Sequence, residues 1–536
     1  MKVLENKQLH HLGIVAGVCN EIGLIEAIDR HVLKPKRKVS VGQAVQAMII
    51  NALGFTGRAL YLTPRFMDHK PVDVLIGEGV RSEDLNDDCL GTALDGLFHC
   101  GLTELFYDIA SEALAKHGLA HRFVHLDTTT FSLHGAYDEE DETSEVVSVT
   151  KGYSKDANPQ LNQVVVSLMC TYRSSIPVWI ETLSGNSSDK VSLRKSVGEY
   201  RRQFQSKQLP YFVADSALYS TESLEELSQI KWVTRVPETL KEARQRVTES
   251  KREDMIEIAE GYRVRPVSSS YGGVTQRWLI VFSEKGYEKQ VATLEKNIGR
   301  EREKKEKKLW HLGNQAFACE ADARAEAKRF AKALKYHRVD WQIEKRDQYG
   351  TRGRPAAGTE PEATSWFIVG ELSEDEEAIR RAKSRKGLFI IATNELDEKK
   401  ISDAQLLDVY KAQGVSVERG FRFLKDPMFY AESLYLNSPR RIMALIMVMG
   451  LSLLVYALAE RKIRKAMKER GASISNQVNK PTQTPTIRWV FQVFEGILIL
   501  TVQEGECITR MAMNVDDDHR TILRCLGPAY EKIYFL

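Results

Sequence analysis

Paired cysteines are missing from this sequence. Its seven cysteines, Cys19, Cys89, Cys100, Cys170, Cys319, Cys507 and Cys525, lie far apart, with no CxxC pair and no Cys/His cluster at zinc spacing. That excludes a zinc ribbon and points to a reducing compartment, the cytoplasm. An excess of one charge is missing too. Lys and Arg number 76 against 73 Asp and Glu, a net charge of +3, so any nucleic-acid surface is a local patch and not a global field. No repeat of fixed period occurs, which excludes solenoids and propellers. The first residues, MKVLENKQLHHLGIVAG, lack the long apolar core and small-residue cleavage site of a secretory signal.

Long apolar runs are scarce, with one exception. Ile442 to Ala459, IMALIMVMGLSLLVYALA, carries no charge and stands at the lower edge of a membrane span. A helix apolar all round is also the central helix of a large soluble core. Because the run occurs once, the expectation is a core helix and no membrane partner.

What is present is an ordinary globular balance, 43% hydrophobic and 28% charged over 536 residues. So long a chain exceeds one core, and a main domain with accessory parts is expected. Residues 1–118 read as a helical N-terminal domain. The best-defined helix begins at SVGQAVQAMIINALGF, where Ser40 and Gln43 are spaced as a capping box and Val45, Met48, Ile49, Ala52 and Leu53 form the apolar stripe. The basic run KPKRK, residues 34–38, precedes it and serves as a solvated loop or a phosphate contact.

Residues 119–239 change to strands followed by alternating strands and helices: FVHLD, NQVVVSLMCTY, IPVWIETL, a charged helix near 190–205, then YFVAD and another helix. Three antiparallel strands leading into β/α alternation predict an α/β fold, a mixed sheet with helices on its faces. Residues 240–385, with EKNIGREREKKEKK and RDQYGTRGRPAAGTEPE, read as an insertion whose charge run is a solvated helix. Its Trp278, Trp310, Trp341 and Trp366 are core residues or stacking platforms for an unpaired base. Strand patterns return with TSWFIVGEL and GLFIIATNEL, a helical region follows from about 402 to 470, residues 386–472 rejoin the main domain, and 473–536 read as a linker and a C-terminal segment.

Three carboxylates stand out. In FVHLDTTTFSLHG, Asp127 ends an apolar run, and Thr128, Thr129 and Thr130 continue as a strand surfacing beside a water-filled cleft. Taken alone, an Asp there serves equally as a turn former. In YFVADSALYSTESLEEL, Asp215 again ends a strand. Ser220 and Thr221 lie closer to the following helix, so Asp215 has no evident capping task. In SVERGFRFLKD, Val417, Phe421 and Leu424 bury one helix face and place Glu418, Arg422 and Lys425 on the next. Gly420 inside that helix suggests a close approach of another backbone or a ligand. Hard carboxylate oxygens bind Mg²⁺ or Mn²⁺, and a two-ion site serves phosphodiester chemistry, with Arg and Lys for the flanking phosphates.

On HLDTTTFSLHG, KGYSKDANPQLNQ, SGNSSDK, VADSALYS, IIATNEL and YKAQGVSVERGFRFLKDPMF, the chain resembles the DDE transposases of bacterial insertion sequences. It is most similar to the insertion-sequence-four superfamily and its sixteen-thirty-four branch. The resemblance implies a ribonuclease-H-like catalytic domain with a large insertion between the second Asp and the Glu. It implies Asp127, Asp215 and Glu418 as catalytic residues binding two Mg²⁺ or Mn²⁺ ions, and Arg419, Arg422, Lys425 and Tyr410 as DNA contacts. It further implies cleavage at the element's terminal inverted repeats, strand transfer into target DNA, and a homodimer on DNA. The superfamily's Tyr-Arg-Glu-Lys signature is kept at Glu418 and Lys425, whereas Gly414 stands where Arg is expected and Tyr410 is one residue out of register. Glu432 is a rival third ligand without the cationic face. The alternative is a DNA-binding relative that has lost its chemistry, against which the three acids argue.

Overall fold

The computed structural model describes residues 2–536 apart from 33–36, 55–59, 120, 136, 138–144, 156–157, 205–208, 351–359, 427–435 and 437. Glu432, most of the KPKRK run and the middle of RDQYGTRGRPAAGTEPE therefore lie outside the described residues.

A nine-stranded mixed sheet organises the chain. Its strands are β1 (Phe123–Leu133), β2 (Asn162–Thr171), β3 (Pro177–Ser184), β4 (Tyr211–Ala214), β5 (Trp232–Arg235), β6 (Ile256–Ala259), β7 (Tyr262–Tyr271), β8 (Val274–Ser283) and β9 (Leu388–Thr393). The spatial order is β3-β2-β1-β4-β5-β9-β8-β7-β6. β1 to β3 form an antiparallel meander, β4 lies parallel to β1, and β5 lies parallel to β4. That order and those directions are the ribonuclease-H-like arrangement. β9 and then β8, β7 and β6 extend the sheet with antiparallel pairings. The continuous apolar runs of β2 and β4 follow from burial on both faces.

The helix Asp189–Gln203 covers one face, where Ser196 bonds Ser167 of β2 and Tyr200 packs edge-on against Trp179 of β3. On the other face lie the helix Val417–Leu424 and the core helix Pro439–Arg470. The core helix is, among the described residues, the one helix long and apolar enough to cross a membrane, and 89% of its most apolar window is buried inside the protein. Gly450 lets it close on Ile180 and Phe106, since a Cβ there would lie 2.9 Å from Ile180 Cδ1. The apolar run is thus explained by packing, as expected.

The N-terminal region is mainly helical, and Ser40 and Gln43 form the capping box that their spacing predicts. A strand over Lys2–Gln8, not foreseen in the sequence, pairs with Leu498–Glu504, which pairs in turn with Cys507–Met513. The segment read as a linker and C-terminal tail thus returns to the N-terminal helices. Tyr530 and Tyr534 fill notches at Gly17 and Gly13 of the helix Leu12–Ile22, and their hydroxyls donate to Glu21 (2.5 Å) and the His10 carbonyl (2.6 Å).

The segment 240–385 divides. Residues 256–283 belong to the central sheet, whereas the described residues of 284–384 form a 31-residue solvated helix, Glu284–Asn314, two further helices, a two-stranded hairpin, and a small core around Leu312, Phe330 and Ile368. Trp278 is sealed in the main core, Trp341 and Trp366 pack on the small one, and Trp310 is exposed.

Leu453 lies fully buried in the core helix. Leu453→Asp puts an unpaired carboxylate there, and a loss on the order of 4 kcal/mol or more is expected. Thermal unfolding followed by circular dichroism checks this: the cooperative transition should move down sharply or vanish.

Candidate active site

The site is built on the pairing of β1 with β4. Val124 is opposite Phe212 and His125 opposite Val213, so two residues further on the same register sets Asp127 beside Asp215. β5 continues the row: Ala214 pairs with Thr234, which brings Arg235 opposite Asp215. Partners in register point to one face, about 4.8 Å apart along the row. β4 ends at Ala214 while β1 runs on to Leu133, so the sheet forks at the two aspartates. Crevices of this kind, at the carboxyl ends of parallel strands, are where α/β sheets place their ligands.

Asp215 has a structural task that the sequence did not reveal. Its side chain accepts from the Ala217 N–H (2.9 Å) and caps the short turn Ser216–Leu218, while its carbonyl accepts from the Thr234 hydroxyl (2.6 Å). Ser220 caps the next helix, as expected. The three threonines do continue β1, but they do not face water: Thr128, Thr129 and Thr130 are 2, 6 and 2% exposed. The hydroxyls of Thr128 and Thr130 find partners inside. Thr128 donates to Asp189 (2.6 Å) and accepts from Lys155 Nζ (2.9 Å), and Thr130 accepts from the Lys155 N–H (3.1 Å).

Glu418 sits in the first turn of Val417–Leu424, exposed, on the sheet face that carries Asp127. Leu168 is the cross-strand partner of Asp127, and a Cβ on Gly420 would lie 2.9 Å from Leu168 and 3.2 Å from Leu453. Gly420 is therefore explained by helix packing and needs no ligand. The Glu418 carboxylate flanks Gly414, where a Cβ would stand 3.4 Å from Oε2, and Arg422 donates to the Gly414 carbonyl (3.2 Å). Lys425 lies over the ring of Phe131 of β1, 5.8 Å from its centre. Arg419 turns the other way and pairs with the buried Glu460 of the core helix (2.6 Å). Tyr410, at the end of the helix Asp403–Lys411, stands within reach of the charges of Arg235, Asp215 and Glu418; burial pushes its phenol up.

Electrostatics single out Asp127. Burial pushes its carboxyl up to about 6, Lys155 and the Thr128 N–H pull it down, and the neighbouring Asp215 and Asp189 push it up further. A half-hidden carboxylate pair of this kind favours a cation. Among the described residues no three His, Cys, Asp or Glu side chains stand close enough to hold an ion as they are. Two aspartates side by side, with a glutamate carried by a separate helix, offer only hard oxygen donors, which suit Mg²⁺ or Mn²⁺. Sequence reasoning missed Lys155, Asp189 and Arg235. The first two stand in KGYSKDANPQLNQ and SGNSSDK, but their partner, Thr128, shows only in the fold.

Residues 119–456, more than half of the chain, match the family described as Transposase DDE domain, and residues 4–111 match a domain of unknown function, DUF4277. The chain belongs to the DDE transposase family and is a DNA transposase. No curated protein matches it. Among solved structures it is similar to a piggyBac transposase synaptic complex with hairpin DNA, at 9% identity over 90% of this chain and 80% of that one, with a TM-score of 0.39. It is also similar to the Mos1 strand transfer complex, at 12% identity over 38% of this chain and 59% of that one, with a TM-score of 0.14. Both likenesses are distant.

The raised Asp127 carboxyl has a consequence for stability. Between about pH 4 and pH 6 the folded state holds this proton more tightly than the unfolded chain does, so stability falls as pH rises through that window and stays lower above it. In metal-free buffer, Asp127→Asn should therefore gain on the order of 2–3 kcal/mol over the wild type at pH 7.5 and nothing at pH 4. Urea unfolding at the two pH values checks this.

Proposed function

We propose that this transposase cuts and joins DNA with Asp127, Asp215 and Glu418 as its acid triad, holding two Mg²⁺ or Mn²⁺ ions. The observation that carries the proposal is the row of Asp127, Asp215 and Arg235 across three parallel strands, with the Glu418 helix packed over the same face. Bound there, the ions supply activation of the attacking oxygen and stabilisation of the leaving oxygen. Arg422, Lys425 and Arg235 bind flanking phosphates, and Tyr410, hydrogen-bonded to Arg235, orients it. Arg419, engaged with Glu460, holds the helix in place and is not assigned to DNA.

The substrates in this reading are the inverted repeats at the ends of a mobile element and target DNA, chromosomal or plasmid, in the cytoplasm. Cleavage frees 3′ hydroxyls, which then attack the target strand. The protein acts as a homodimer, because two ends are handled together. It belongs to the insertion-sequence-four superfamily and its sixteen-thirty-four branch on the motifs around Glu418. Residues 1–118 read the element ends, 119–239 with 386–472 form the catalytic unit, 240–385 are inserted within it with 256–283 extending its sheet, and 473–536 pack against the N-terminal helices.

Excision and integration in cells test the reading, with a marker flanked by the gene's native bordering DNA. Asp127→Asn, Asp215→Asn and Glu418→Gln, at matched protein levels, should each lower movement by roughly a thousandfold or more. Movement retained in any one variant removes that residue from the triad. A folded wild type with no movement and no metal-dependent cleavage favours the inactive DNA-binding relative.

A further inference from the structure

The turn between β2 and β3 is built in a way that its hairpin role does not explain. Two of its residues, Arg173 and Ser175, have positive φ angles (56° and 52°), although neither is glycine. Each costs about 1 kcal/mol or more relative to a glycine at the same place. Two of the groups that this conformation presents reach the two residues that lead into the Glu418 helix, and two others reach the helix Asp403–Lys411 before them. Ser175 Oγ donates to the Val415 carbonyl (2.8 Å), and the Arg173 N–H donates to Ser416 Oγ (2.9 Å). The Tyr172 hydroxyl and the Arg173 guanidinium both bind the Asp408 carboxylate. Ser416 is fully buried, and its carbonyl accepts the Gly420 N–H (3.3 Å), an early hydrogen bond of the Glu418 helix. Its backbone (φ −110°, ψ −96°) lies outside the helical and extended regions, at the bend where the chain enters that helix.

We propose that the turn Tyr172–Ser175 is a positioning element for Glu418, with Ser175, Arg173 and Ser416 as its positioning residues. The inference rests on the reading of Glu418 as the third acid. Asp127 and Asp215 belong to the sheet and are set by strand register. Glu418 arrives on a separate short helix and needs its own attachment to the same sheet. The β2–β3 hairpin supplies it twice. Leu168, the partner of Asp127, seats Gly420, and five to seven residues further along the same hairpin the turn holds Val415 and Ser416. A displacement of about 1 Å in a supported group is enough to cost a catalytic site much of its rate.

The test uses the full-length protein and a duplex carrying an element end. Ser175→Gly removes the hydroxyl and relieves the φ constraint; Ser416→Ala removes the acceptor of the Arg173 N–H. Both are expected to bind the duplex within about twofold of wild type. Ser175→Gly is also expected to unfold at the wild-type temperature or above. The Mn²⁺ concentration for half-maximal cleavage should rise roughly tenfold in each, in line with the loss of an outer support of a metal ligand. Ser175→Asn, which tolerates positive φ and keeps a donor for Val415, should restore most of the metal response.

Unchanged half-saturation in both variants overturns the inference, and so does a fall in unfolding temperature with no change in the metal response. Glu418→Gln separates the two claims. If it is inactive while Ser175→Gly and Ser416→Ala behave as wild type, only the positioning role fails. If Glu418→Gln still cleaves, or the wild type shows no metal-dependent cleavage, the triad reading fails and the positioning role with it.

Discussion

Everything at the site depends on one pairing, the parallel register between β1 and β4. It sets two carboxylates side by side where β4 stops and β1 continues, and it hides Asp127 enough to push its carboxyl up to about 6. Two like charges in such a place cost stability unless a cation joins them. The surrounding structure bears that cost through a core that needs no help from the site. The helix Pro439–Arg470 is buried along its apolar length, and the N-terminal helices, the C-terminal helix Asp517–Leu526 and the sheet all pack around it. A strained, cation-seeking pair can persist on so large a scaffold.

Glu418, the proposed third acid, is attached differently, and the difference matters. Strand register is discrete, because a slip of one residue turns every side chain to the opposite face. A short helix lying on a sheet has no such safeguard. Gly420 and the turn Tyr172–Ser175 supply the missing definition, one through close contact and the other through directed hydrogen bonds. Arg419 adds a third anchor, to Glu460.

Much of this was legible in the sequence because it is local. Apolar runs ending in Asp marked β1 and β4, and the spacing of Ser40 and Gln43 marked a helix start. The i, i+4 and i+7 pattern of Val417, Phe421 and Leu424 marked the buried face next to Glu418. What could not be read depends on pairings distant in the chain. Arg235 enters the row only because β5 lies beside β4, and Lys155 and Asp189 matter because they close on Thr128. The threonines look polar in one dimension and are buried in three. Lys2–Gln8 is too polar to announce a strand, and its partner lies at the other end of the chain. The segment 240–385 reads as one insertion, since nothing local tells β6 to β8, which join the sheet, from the solvated helix that follows.

The central claim is that the Asp127 and Asp215 pair is a cation site. Mn²⁺ binding to the protein on a DNA end, followed by electron paramagnetic resonance, tests it most directly. The account predicts about two ions per chain in the wild type and clear loss of binding in Asp127→Asn and in Asp215→Asn, both still folded and bound to DNA. Equal Mn²⁺ binding by the wild type and both variants would contradict it.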